Sequence, residues 1–355
     1  MERTHFYYLD LLRVFLTILV FCHHSAIAFG APGGWYYIAT ATVTGIPKTL
    51  LSLTVTVNQS YFMSLFFFIS AFLMPVSYDR KGAKAFVLDR LNRLGIPLFI
   101  YTFLLNPLLV YWLYDVWWVP GLGPMWFVFT LLLFELAYAA CRFCRSFHLW
   151  REWSTPTVGR IILFILVTGL MAFWVRLYVP VGSDVFGLQL GYFPLYIGMY
   201  LLGIAAQRDH WLDKMRLRCV LGWFLPAVLV GIPLLMCLMY ICMDRMPLFN
   251  GGWNLQALSY ALWDPVMCVG ISGFLLAYGK AYCNVPMPCL QRLSADSYAF
   301  YFIHPFVVVA GTLLVQLLPL SPLWRLLLVV VTGIPCCFVL ARVVRLLFKL
   351  IGVKL

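Results

Sequence analysis

Ten stretches of mostly apolar residues, each about 20 long and so able to cross a bilayer as a helix, occupy most of this chain. They lie roughly at residues 11–29, 53–77, 95–114, 125–141, 160–179, 187–206, 219–242, 256–279, 297–318 and 324–347. Lipid offers a backbone no hydrogen-bond partners, so a crossing segment must be a helix or part of a closed barrel. The alternating hydrophobicity of barrel strands is absent. The expected fold is an all-α polytopic membrane protein of about ten transmembrane helices, a single transmembrane domain over 1–355 embedded in a lipid bilayer. The second stretch is the least regular, because Thr54, Thr56, Asn58, Gln59 and Ser60 make its outer part polar.

Composition excludes a water-soluble globule: 11% of the 355 residues are charged, where soluble domains carry roughly a quarter. The net charge of +12 follows the connections between spans. Alternate connections hold Arg80, Lys81, Lys84, Arg90 and Arg93; Arg142, Arg145, Arg151 and Arg160; Arg208, Lys214, Arg216 and Arg218; and Lys280 and Arg292. The others hold little beyond Lys48, Arg245, Asp115, Asp184 and Asp244. Basic connections stay in the cytoplasm, which puts both termini there, together with Arg3, Arg345, Lys349 and Lys354. No basic stripe lies on a polar face, so no nucleic-acid partner is expected.

Ala26-Ile27-Ala28 has the form of a leader cleavage site, but Asp10, Arg13, His23 and His24 interrupt the preceding apolar run, so the first span is expected to be retained. The cysteines fall in spans or cytoplasmic connections, which predicts no disulfide framework. Cys141/Cys144 and Cys283/Cys289 lack the second ligand pair of a zinc site, and no metal is expected.

Ionisable residues inside spans are expensive and mark function by default. The first span concentrates them. From Arg13 to His24 a helix turns about 20° past three full turns and climbs roughly 16 Å, so both side chains share one stripe. Asp10, three residues before Arg13, can pair with it, and His23 falls about 80° off the stripe. A cation at the cytoplasmic mouth and an imidazole deeper in the membrane would then face one cavity, where the imidazole can act as a general base. Set against this is an interfacial Arg snorkelling to water and a His bonded to a neighbouring helix. His304 precedes Pro305, which lacks a backbone donor and would bend the ninth span. Glu135, Arg176 and Asp264 read as buried partners or cavity lining with no assigned role. Trp35, Tyr36, Tyr37, Trp117, Trp118 and Trp253 read as an aromatic belt, with sugar stacking as the alternative.

The stretch Leu9 to Ser25 resembles the first span of the acyltransferase family 3 membrane proteins, whose signature is Arg or Lys, ten residues, then His; Arg13 and His24 fit it. Phe66-Phe67-Phe68-Ile69-Ser70-Ala71-Phe72-Leu73 is similar to the family's phenylalanine-rich Ile-Ser-Gly-Phe segment, with Ala71 in place of Gly and slightly looser helix packing expected there. Arg90-Leu91-Asn92-Arg93 before Ile96-Pro97 resembles its Arg-x-x-Arg element, and Ser297-Tyr298 through Tyr301, His304 and Pro305 its Ser-Tyr-x-x-Tyr-x-x-His-Pro span. Pro124-Met125-Trp126-Phe127 is similar to a His-Leu-Trp-Phe segment of one branch, with Pro124 where the His would be.

The resemblance implies an acyltransferase of a bacterial-type inner (plasma) membrane. Its co-substrate would be an acyl-CoA, acetyl-CoA above all, with no permanently bound cofactor, and its acceptor a hydroxyl of an extracytoplasmic carbohydrate or glycolipid, giving O-acetylation of a polysaccharide. Catalysis would fall to His24, with Arg13 and Asp10. The CoA phosphates would fall to Arg13, Arg90 and Arg93, the last two facing one ligand at i and i+3, and substrate contact to Trp126, Tyr301 and His304. The alternative is a transporter of a small anionic substrate. The halves of the chain show no internal repeat of the kind many transporters carry.

Overall fold

The computed structural model describes residues 6–144 and 155–353. Arg3, Arg145, Arg151, Lys354 and the side chain of Asp244, all used above to read orientation, lie outside the described residues. Membrane-length helices are α1 (Tyr7–Ala28), α2 (Gly45–Lys81), α3 (Ala83–Tyr114), α4 (Gly123–Phe143), α5 (Val158–Tyr178), α6 (Leu190–Arg208), α7 (Leu217–Ile241), α8 (Leu255–Tyr282), α9 (Pro288–Val315) and α10 (Pro322–Leu350). No strand occurs among the described residues.

Every expected span is present, and three start well before the expected residue, at 45, 83 and 288 rather than 53, 95 and 297, for physical reasons. In α2 the hydroxyls of Thr54 and Thr56 return to the carbonyls of Leu50 and Ser52 at 2.8 and 2.9 Å, so the polar stretch stays helical without orphaned groups. The connection between α1 and α2 therefore covers residues 29–44. Between α2 and α3 the break is one residue, Gly82, whose φ of +76° suits glycine and whose N–H returns to Tyr78 at 2.8 Å. The Arg90–Arg93 segment therefore lies within α3 rather than in a connection. Pro288 opens α9, at a first-turn position where the missing N–H costs nothing.

α3 also carries two wide π turns, Leu91–Gly95 and Tyr101–Leu105. Each is followed by an Xaa-Pro pair, Ile96-Pro97 and Asn106-Pro107. Proline donates no N–H and its ring crowds the carbonyl of the preceding turn, and a wide turn relieves that crowding.

The backbone forms two compact units. One takes the described residues of Met1–Leu9, Gln59–Ala83 and Ala139–Val285, hence the later part of α2 with α5–α8. At its centre Arg176 donates to Asp264 at 2.5 Å and to the Gly191 carbonyl at 3.1 Å, with the rings of Tyr192 and Tyr260 at 5.1 and 5.0 Å from the guanidinium. These two residues are buried partners, as a charge in a low-dielectric interior requires. Asp79 at the end of α2 pairs with Arg142 at the end of α4 and Arg208 at the end of α6, each at 2.9 Å. The ends of these even-numbered helices thus share one side, as alternating spans demand. Ala71 is fully buried, and a Cβ on Gly203 would collide with Ala71 and with the Phe68 carbonyl. The extra methyl is therefore absorbed by a glycine opposite, and the looser packing expected at Ala71 is not found.

The second unit takes Asp10–Asn58, Lys84–Tyr138 and the described residues of Pro286–Leu355. Its core joins α1, α9 and α10: the Phe21 ring lies 5.9 Å from Phe300, and Phe300 lies 4.5 Å from Phe338. Gly333 of α10 leaves the room that the Phe21 ring fills. Every candidate site residue belongs to this unit.

Candidate active site

The charged end of the site begins in α1. Arg13 Nη1 lies 3.4 Å from Asp10 Oδ1, the spacing expected for an i, i+3 pair, and the same oxygen accepts from Ser294 of α9 at 2.9 Å. Asp10 is thereby fixed from two helices, while the Arg13 side chain keeps 36% of its surface accessible and remains open to a ligand. Arg93 lies within electrostatic reach of Arg13. Two cations held near one another favour an anion between them.

Further along the stripe, His24 Nδ1 lies 2.9 Å from His304 Nε2 of α9. The two imidazoles are within 8° of coplanar, with ring centres 5.1 Å apart, so the hydrogen bond runs edge to edge in their common plane. The other nitrogen of His304, Nδ1, lies 2.6 Å from the Tyr301 carbonyl. His23 is buried and meets His24 only edge-on, at 5.5 Å. His304, expected at the substrate, is fully buried and bonded to His24. Tyr301 donates its hydroxyl to the Pro124 carbonyl and meets Phe127 at 5.9 Å; Phe127 in turn meets Trp126 at 6.3 Å. Trp126 thus joins the site at its edge, through Phe127, and is half-buried.

Trp35 is the residue that sequence reasoning missed. Its indole stacks on His24 at 4.1 Å and 17°, and reaches over His304 at 5.9 Å and 25°. The loop that carries it is built to hold it there. Ala39 and Val43 return their N–H groups to Ala28 and Phe29 at 2.8 and 2.9 Å, and Thr40 is caught at 2.9 Å by Gln316, the residue that follows α9. Tyr36, next in sequence, donates to Asn106 Oδ1 at 2.5 Å and lies 3.0 Å from the Tyr101 hydroxyl. Burial, partly offset by that Tyr101 contact, pushes the Tyr36 phenol up to about 12, so it stays protonated and able to donate. Asn106 completes the clasp by donating to the Val119 carbonyl at 3.0 Å. The wide turn Tyr101–Leu105 sets both partners of Tyr36 on one side of α3. The legible signal was the Ala31-Pro32-Gly33-Gly34 turn, which folds the following aromatics back over the end of α1.

Arg90 and Arg93 have different surroundings. Arg90 Nε lies 3.3 Å from Glu135 Oε2 of α4, and its guanidinium lies 4.8 Å over the Phe86 ring. Arg93 is exposed. The i, i+3 expectation assumed α-helical pitch, whereas Arg93 lies in the π-helical turn Leu91–Gly95 that follows Arg90. Glu135, given no role above, is the partner that neutralises Arg90. Among the described residues no group of three or more His, Cys, Asp or Glu side chains is placed to hold a metal ion.

A family model described as an acyltransferase domain matches residues 6–342 of the chain. Neither curated proteins nor solved structures give a significant match.

Proposed function

Because the chain belongs to acyltransferase family 3, and is with ten membrane-length helices among its described residues a membrane acyltransferase, we propose that it moves an acetyl or related acyl group from cytoplasmic acyl-CoA to a hydroxyl of an extracytoplasmic carbohydrate or glycolipid. Its home in this reading is a bacterial-type plasma membrane, with both termini in the cytoplasm. The observation that carries the reading is His24, hydrogen-bonded to His304 of α9, on the same helical stripe as the Asp10-anchored Arg13. The rise between Arg13 and His24 is roughly 16 Å, comparable to the pantetheine arm that separates the phosphates of CoA from its thioester. A donor whose phosphates rest at Arg13 and Arg93 would present its thioester at His24. Arg90 adds less, because Glu135 already offsets its charge.

In the reaction the acceptor oxygen attacks the thioester carbonyl as His24 takes its proton. The new C–O bond forms, the tetrahedral oxyanion collapses, the C–S bond breaks, and the departing CoA sulfur recovers the proton from His24. Tyr301 and Trp126 border the acceptor side. His24→Ala and His23→Ala separate this reading from a structural one. The assay is transfer of label from [¹⁴C]acetyl-CoA to the endogenous acceptor in native membranes. Loss of a general base costs roughly 10²–10⁴-fold, so His24→Ala should fall by about that factor at normal membrane abundance, whereas His23→Ala should stay within about tenfold of wild type. Equal losses in the two variants would refute it.

A further inference from the structure

We infer that His304 is a positioning residue that fixes the tautomer of His24, and that Pro305 supplies the free carbonyl on which this depends. The inference rests on the reading of His24 as the base. In a regular helix the Tyr301 carbonyl would receive the N–H of residue 305, but residue 305 is proline and has none. His304 Nδ1 takes that place at 2.6 Å. A carbonyl only accepts, so His304 Nδ1 carries the hydrogen, and in a neutral ring Nε2 is then bare. That bare nitrogen faces His24 Nδ1 at 2.9 Å. His24 Nδ1 must therefore be the donor, which leaves His24 Nε2 as the lone pair that takes the substrate proton. The 8° angle between the rings aligns the N–H of one with the lone pair of the other.

The chain also works after proton transfer. Once His24 holds the proton at Nε2, its Nδ1–H becomes a stronger donor to His304, and the His304 Nδ1–H in turn to Tyr301. The positive charge is thus spread toward the negative end of a backbone dipole. An aspartate does the same for the histidine of a serine hydrolase triad; here a neutral imidazole and a proline-freed carbonyl replace it, avoiding an unpaired carboxylate inside the membrane.

The test uses the full-length protein in native membranes and [¹⁴C]acetyl-CoA with the endogenous acceptor. In His304→Gln the amide oxygen can stand near the former Nε2 and still accept from His24. In His304→Asn the amide N–H can reach the Tyr301 carbonyl but presents nothing to His24. Since the general-base term is worth roughly 10²–10⁴-fold, His304→Asn should lose about a hundredfold or more in kcat and His304→Gln about tenfold or less, with the KM for acetyl-CoA within about threefold in both. Pro305→Ala, which returns a competing N–H to Tyr301, should also lower kcat. Equal kcat losses in Asn and Gln variants, or losses confined to KM, would overturn the inference. His24→Ala is run alongside: if it is inactive while His304→Asn is fully active, the relay alone fails, and if it retains activity the base reading fails and the relay with it.

Discussion

The indole of Trp35 should act on the protonated state of His24, and its removal should appear in kcat. The ring lies 4.1 Å over His24 and 17° from parallel, so an imidazolium formed during the reaction faces the negative face of the indole. A cation over an aromatic face gains about 0.5 kcal/mol where water screens it and about 2 kcal/mol where it is desolvated. At 1.36 kcal/mol per decade, that predicts a fall of about twofold to thirtyfold in kcat for Trp35→Ala, with Trp35→Phe between it and wild type. The loop should survive the change. Its anchors are the backbone bonds of Ala39 and Val43, the capture of Thr40 by Gln316, and the clasp of Tyr36 by Asn106, none of which uses the indole. The measurement is initial-rate transfer from labelled acetyl-CoA over a range of donor and acceptor concentrations. An unchanged kcat would refute the argument. So would a raised acceptor KM at unchanged kcat, which would make Trp35 a sugar-stacking platform instead.

Donor binding gives a second measurement. Arg13→Gln and Arg93→Gln should each raise the acetyl-CoA dissociation constant in detergent about tenfold or more, the worth of one charge-assisted hydrogen bond, and Arg90→Gln should raise it less because Glu135 already partners Arg90. Unchanged affinity in the Arg13 and Arg93 variants would return them to topological charge. Sidedness gives a third: oriented vesicles should label external acceptor only when acetyl-CoA is supplied on the cytoplasmic face, and labelling that requires both substrates on that face would defeat transfer across the membrane.

The fold was legible because apolar length decides crossing. All ten spans follow from it, and the Arg13–His24 stripe follows from helical pitch alone. The polar start of α2 was harder to read, since its threonines bond to their own helix and leave no trace in hydropathy. The partners of His24 were out of reach for a different reason: His304 is 280 positions away, and only the packing of α9 against α1 brings them together. Trp35 stood among aromatics that all suited a membrane belt. What distinguishes it is the clasp on Tyr36, which depends on a turn of α3. The π turn at Leu91–Gly95 was not legible either, because the spacing of Arg90 and Arg93 carries no mark of a change in pitch.

The prolines explain why side chains are used as they are around this site. A proline in a membrane helix frees the carbonyl four residues before it, and that carbonyl must find a donor inside the protein. The chain solves this twice in the same unit. Pro107 frees the carbonyl of Phe103, which accepts the indole N–H of Trp118 at 3.2 Å. Pro305 frees the carbonyl of Tyr301, which takes the imidazole of His304 at 2.6 Å. As repairs of the backbone the two are equivalent. They differ in what the donor can do next: an indole has one donor and no acceptor, so Trp118 ends the chain of bonds, while an imidazole has a second nitrogen and can accept. At position 304 that second nitrogen is occupied, at 2.9 Å, by His24. A tryptophan there could satisfy the carbonyl as well as histidine does, but it could not orient the base.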